Sequence, residues 1–182
     1  MAQPERPLRA DAARNRARVL EAALETFAAD GLSVPIDEIA RRAGVGAGTV
    51  YRHFPAKEDL VEAVIADQMQ RIIDGGHALL EAGNPGEALF TFLRAAVEWS
   101  ATNRGLVDAL ADSGNEVKDA EEQFKDLLGA LLRAAQDAGT ARKDVGVADV
   151  KALMVGLQAM HSYNDDAAAR LRDVVLDGLR AG

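Results

Sequence analysis

Apolar residues recur every three or four positions along most of the chain, and nowhere do they alternate with polar ones over the length of a strand. Val19, Leu20, Ala23, Leu24 and Phe27 form one stripe in a helix expected from about Asp11 to Asp30, with Gly31 as its stop. Ile36, Ile39, Ala40 and Ala43 form a shorter stripe. The turn Gly44-Val45-Gly46 follows, and then a segment with Val50 and Phe54 on one face. Two short helices around a glycine-punctuated turn make a helix-turn-helix by periodicity and turn chemistry. From Leu60 the helical period runs on through Val61, Val64, Ile65, Met69, Ile72 and Ile73, until Gly75-Gly76 weakens the helix, which is expected to bend or stop there.

Five further helical stretches are expected at 85–102, 105–112, 116–138, 147–161 and 165–180, the long third one carrying Val117, Phe124, Leu127, Leu128, Leu131 and Leu132. The pattern therefore predicts an all-α protein. Its expected parts are an N-terminal arm and helix-turn-helix domain (1–57), a bridging helix (58–75) and a C-terminal helical bundle (76–182). Residues 1–10, with Pro4 and Pro7 and no amphipathic pattern, read as a mobile arm.

Charge sharpens this division. The chain carries a net −8 with a pI near 4.9, which argues superficially against a nucleic-acid partner. Residues 1–57, however, hold nine Lys/Arg against seven Asp/Glu, and the excess of acid belongs to the rest. Arg6, Arg9, Arg14, Arg16 and Arg18 face a single Asp11 over residues 6–18, a local basic patch read as phosphate contacts beside the helix-turn-helix. With no cysteine, disulfides and thiolate metal sites are excluded. No run is apolar for the length of a membrane span, and no secretory signal is recognisable, so a cytoplasmic protein is expected.

The candidate chemistry lies in and around the second short helix. Thr49, Tyr51, Arg52 and His53 fall on or near its exposed side, and all four offer donors of the kind that reach phosphates and base edges in a major groove. Arg41 and Arg42 end the preceding helix, where they either complement its dipole or touch DNA. Lys57 stands at the start of the next helix beside Ala56, a weak cap that forgoes about 1 kcal/mol. Such a terminus suits an anion, and a DNA phosphate would meet both its N–H groups and Lys57, although Glu58 and Asp59 offer partial relief from within.

The string GVGAGTVYRHFPAKEDLVEAV resembles the recognition-helix signature of the TetR family of bacterial transcriptional regulators, through Gly44, Val45, Thr49, Val50, Tyr51, His53, Phe54, Lys57, Glu58 and Leu60. Ala22, Ala23, Phe27, Gly31 and the run Asp37-Glu38-Ile39-Ala40 extend the resemblance over about the first third of the chain. Two departures stand out: Gly46 replaces the usual serine of the turn, and Ala47 and Gly48 occupy positions that often carry Lys or Arg.

The resemblance implies a homodimer in which two C-terminal helices from each subunit form a four-helix contact. Here the stretches 147–161 and 165–180 would take that role, with Val150, Leu153, Leu157, Leu171, Val174 and Val175 at the contact. Phe90, Trp99, Phe124, Met154 and Met160 are candidate pocket residues for a flat or greasy small molecule, against the alternative that they are plain core. His161 reads as a satisfied or surface histidine.

The function expected is a ligand-responsive homodimeric repressor, released from a pseudo-palindromic double-stranded DNA operator by a small hydrophobic or aromatic effector. An activator, or an adaptor that answers to a protein, is the alternative. An enzyme is disfavoured, because His53, His77 and His161 lie on different segments without metal-ligand spacing. No cofactor is expected.

Overall fold

The computed structural model describes residues 5–112 and 118–182. Among the described residues the chain forms nine helices: α1 (Glu5–Asp30), α2 (Ile36–Ala43), α3 (Ala47–His53), α4 (Lys57–Glu81), α5 (Pro85–Thr102), α6 (Arg104–Asp112), α7 (Lys118–Asp137), α8 (Val147–Tyr163) and α9 (Asp165–Gly178). A single antiparallel bridge joins Ala141 to Arg180. Packing divides the chain into one unit of residues 5–68 with 103–112 and another of 69–102 with 118–182, and α4 runs from the first into the second.

Two helices differ from the sequence expectation. α1 starts at Glu5 rather than near Asp11, so residues 5–10 are helical. Pro7 does not prevent this, because the N–H groups of a first helical turn have no partner within the helix to lose. α4 passes through Gly75-Gly76 and ends at Glu81. Its Gly76 is a point of close approach: a Cβ there would lie 2.5 Å from Leu127 Cδ2 and 3.1 Å from Phe92 Cε2. Burial of those neighbours offsets the glycine's intrinsic helix cost of about 1 kcal/mol. The side chains of Arg6, Arg9 and Leu110, and the expected helix start at Glu116 with Val117, lie outside the described residues.

In the first unit α1 packs on α2 and α3, and α6 packs on α1. Val19, Leu20, Ala23 and Phe27 of α1 are buried, as are Ile36, Ile39, Ala40 and Ala43 of α2, Val50 and Phe54 around α3, and Leu106 of α6. Each large apolar side chain removed from water in this way contributes roughly 1.5–3 kcal/mol before the entropy of ordering is counted.

In the second unit α5 lies against α7, α8 and α9. Its core joins Ile73, Leu89, Phe90, Leu93, Leu127, Leu128, Leu131, Val150 and Leu176. The C-terminal end closes over this core. Arg142 N donates to Leu179 O at 3.0 Å, and Ala181 N to Thr140 O at 2.9 Å. Arg180 places both guanidinium nitrogens on Glu87, at 2.7 and 2.9 Å, with its Cζ 4.0 Å from the centre of the Phe90 ring. The Arg180 hydrogen bonds hold the Glu87 carboxyl below its ordinary range.

Candidate nucleic-acid interface

α2 ends because Gly44 takes the left-handed conformation, φ +64°. That geometry lets Val45 N donate to Ala40 O at 3.0 Å and Gly44 N to Arg41 O at 3.2 Å, satisfying carbonyls that a helix end leaves open. The chain re-enters a helix at once, with Thr49 N donating to Gly46 O at 2.8 Å. Val50 and Phe54, one helical turn apart, are buried. By the same periodicity Tyr51 and Arg52 face outward, and both are exposed, with Tyr51 at 47%. Thr49, His53 and Lys57 are half-buried. Arg52 and Lys57 form no salt bridge among the described residues. Gly46 and Gly48 have open space where a side chain would stand, so this part of α3 is smooth and uncharged.

Arg41 and Arg42 are engaged. Arg41 donates to both oxygens of Glu38, at 2.7 and 2.6 Å; Arg42 bonds to Glu38 at 2.8 Å and pairs with Asp30 at 2.7 Å. Hydrogen bonds from Arg41 and then Arg42 lower the Glu38 pKa from 4.5 to about 2. In the free protein both cations are therefore neutralised from within, although Arg41 remains largely exposed.

In the free protein Arg14, Arg16 and Arg18 of α1 have partners within the chain. Arg14 pairs with Asp11, the Arg16 guanidinium lies 5.6 Å from the centre of the Phe54 ring, and Arg18 Nη2 donates to Ala43 O at 2.6 Å. The start of α4 is likewise served from within, because Asp59 Oδ2 accepts from Ala56 N at 2.8 Å, half of a capping box. Arg18 was not legible as a clamp. The left-handed Gly44 leaves α2 carbonyls in need of donors, but only the fold brings a donor from 25 residues away.

In the second unit the five candidate pocket residues have different settings. Phe90 and Met154 belong to the core, and Trp99 and Phe124 are half-buried, Phe124 at 5.9 Å from the Phe92 ring. Met160 alone among them borders a cavity of about 790 Å³, open to solvent and lined also by Arg142, Asp149, Leu153, Gly156, Leu157 and Val175. The candidate dimer residues also divide. Val150 and Leu157 are buried within their own chain, which removes them from any contact face, because α8 turns them toward the core. Leu153 and Val175 are half-buried, and Leu171 and Val174 are exposed. Val155 and Tyr163 are exposed as well, Tyr163 at 93%.

Among the described residues no cluster of His, Asp and Glu is arranged to hold a metal, and no helix is long and apolar enough to cross a membrane. Two short helices around a left-handed glycine, with an exposed polar face on the second, define a helix-turn-helix DNA-binding protein. The profile of the bacterial regulatory proteins of the tetR family matches residues 19–64, and that of the SbtR-like transcriptional regulator C-terminal domain matches residues 84–181. The chain belongs to the TetR family of bacterial transcriptional regulators, DNA-binding proteins and not enzymes.

Its relatives agree along most of its length. The crystal structure of a TetR transcription regulatory protein from Mycobacterium vanbaalenii is 56% identical, covering 96% of this chain and 100% of that one, with a TM-score of 0.79. A TetR transcriptional regulator from Streptomyces coelicolor is 37% identical, covering 91% and 98%, with a TM-score of 0.76. The HTH-type transcriptional regulator SrpR of Pseudomonas putida is 29% identical over 181 residues, covering 92% of this chain and 84% of SrpR.

Proposed function

We propose that the protein is a cytoplasmic, homodimeric repressor that binds a pseudo-palindromic operator and is released by a small hydrophobic or aromatic effector. The observation that carries the dimer is the α8–α9 face. Of the five large apolar side chains exposed among the described residues, four, Val155, Tyr163, Leu171 and Val174, lie on these two helices. Left in water such a face is unfavourable, and a second copy of the same face would cover it. Two α3 helices would then enter successive major grooves about 34–36 Å apart.

Thr49, Tyr51, Arg52, His53 and Lys57 are the contacts we assign to DNA. Arg41 and Arg42 join them on phosphates after leaving Glu38. An effector that favours one spacing of the two copies shifts the population by no more than its differential affinity for the two states, with α4, continuous from one unit into the other, as the route.

The test begins by selecting bound fragments from genomic DNA with the intact protein and measuring its mass in solution with and without them. A dimer on an inverted repeat is expected; a monomer bound to an asymmetric site overturns the reading. Tyr51→Ala with Lys57→Ala should weaken binding to every duplex by at least tenfold. Unchanged affinity removes α3 from the interface. Trp99 fluorescence then reports effectors, and DNA release by a protein partner with silence toward varied small molecules favours the adaptor.

A further inference from the structure

α3 has only seven residues, its Gly46 cap offers no side-chain bond, and Gly48 sits inside it. A helix this short does not hold itself in place. What aims it must come from its neighbours, and two arginines of α1 stand at its two ends.

Ahead of α3, Arg18 Nη2 donates to Ala43 O at 2.6 Å and reaches Gly44 O at 3.4 Å. These carbonyls end α2, where helix geometry leaves acceptors unpartnered and the dipole favours a cation. Gly44 makes room for the guanidinium, because a Cβ there would lie 2.7 Å from Arg18 Nη2. Behind α3, Arg16 lies over the ring of Phe54, the residue that caps α3 and donates its N–H to Val50 O at 2.8 Å. The turn before the helix and the residue after it are thus both tied to α1.

We propose that Arg18 is a positioning residue for DNA recognition: it sets the α2–α3 turn and so the direction of α3, with Arg16 bracing the opposite end, and neither serves a phosphate. This rests on α3 being the element that reads DNA. Positioning and phosphate contact differ in what they do to binding. A lost phosphate contact weakens all duplexes alike and makes the salt dependence shallower by about 0.9 in slope. A misaimed α3 loses base contacts and keeps the electrostatic ones.

The experiment uses the full chain and two duplexes, one selected by the protein from a random-sequence library and a scrambled version of it, titrated over a range of KCl. Arg18→Ala should weaken the selected duplex about tenfold or more, leave the scrambled one within about twofold and preserve the salt slope. Arg18→Lys, which keeps donors and charge, should recover most of the ratio. If Arg18→Ala fails to fold by circular dichroism, Arg18→Met, which keeps an unbranched stem and has no donor, is read instead.

Equal losses on both duplexes with a shallower slope overturn the proposal, as does an unchanged ratio in a folded variant. Arg52→Ala, a substitution on the exposed side of α3, separates the two levels. Should it leave the selected duplex bound normally, the reading of α3 fails and the positioning role with it. Should it abolish discrimination while Arg18→Ala does not, only the positioning role fails.

Discussion

In the N-terminal unit Glu38 holds Arg41 and Arg42 within one turn of α2, whereas in the C-terminal unit Glu87 holds Arg180 across 93 residues with the Phe90 ring against the guanidinium. The chemistry is the same and the consequence differs. A local pair between side chains of one surface helix can open without moving the backbone, and exposed pairs of this kind contribute little to stability. The Arg180 pair joins the C-terminal end to α5, beside the backbone bridge to Ala141, and adds a tie between segments far apart in the chain. Separation in sequence therefore distinguishes Arg41, held only within its own helix, from Arg180, which joins two distant segments.

The largest effect is expected from disturbing the packing that the C-terminal unit relies on. Gly76→Val drives a side chain into Leu127 and Phe92, and overpacking of this kind costs about 1–3 kcal/mol. Thermal or denaturant unfolding should show the loss in the C-terminal unit. A variant as stable as the parent would mean that α4 does not need this close approach.

Next in size, Arg180→Met keeps an apolar stem over Phe90 and removes the charged fork. Discounted for partial exposure, it should destabilise by about 1–2 kcal/mol without changing the salt slope of DNA binding. A changed slope would place Arg180 among the functional arginines and erase the distinction.

The smallest effect on stability and the most informative for function belongs to Glu38→Gln. It frees Arg41 and leaves Arg42 paired with Asp30, so affinity for any duplex should rise several-fold and the salt slope steepen by about one contact. The Glu38 carboxyl is depressed in the folded state, so its contribution is complete above its ordinary pKa of 4.5 and is lost as the pH falls toward about 2. The variant should therefore flatten acid sensitivity of the N-terminal unit in that window. Affinity and slope equal to the parent would show that Arg41 does not reach phosphate.

Periodicity carried the helix-turn-helix almost entirely, because Ile36, Ile39, Ala40, Ala43, Val50 and Phe54 mark a single buried face and Gly44 marks the turn. The exposure of Tyr51 and Arg52 follows from the same phase. α8 was not legible in this way. Val147, Val150, Leu153, Met154, Val155, Leu157 and Met160 are distributed around the helix, so no stripe says which side meets the core. The core chose Val150, Met154 and Leu157, and left Val155 outside. The setting of the aromatic residues was not legible either: Phe90 is fully enclosed in the core of the second unit, which its place in the sequence does not reveal.

By itself the amino-acid sequence determined the all-α class, the turn of the helix-turn-helix and the outward face of its second helix, since these depend on periods of a few residues and on glycine's access to positive φ. Only the tertiary structure decided which partner each arginine takes and which face of α8 stays in water. Several of those outcomes, Arg18 on Ala43 and Arg180 on Glu87 among them, depend on groups that lie tens of residues apart in the chain, and an arginine carries no mark of whether a carbonyl, a carboxylate or an aromatic ring will reach it first.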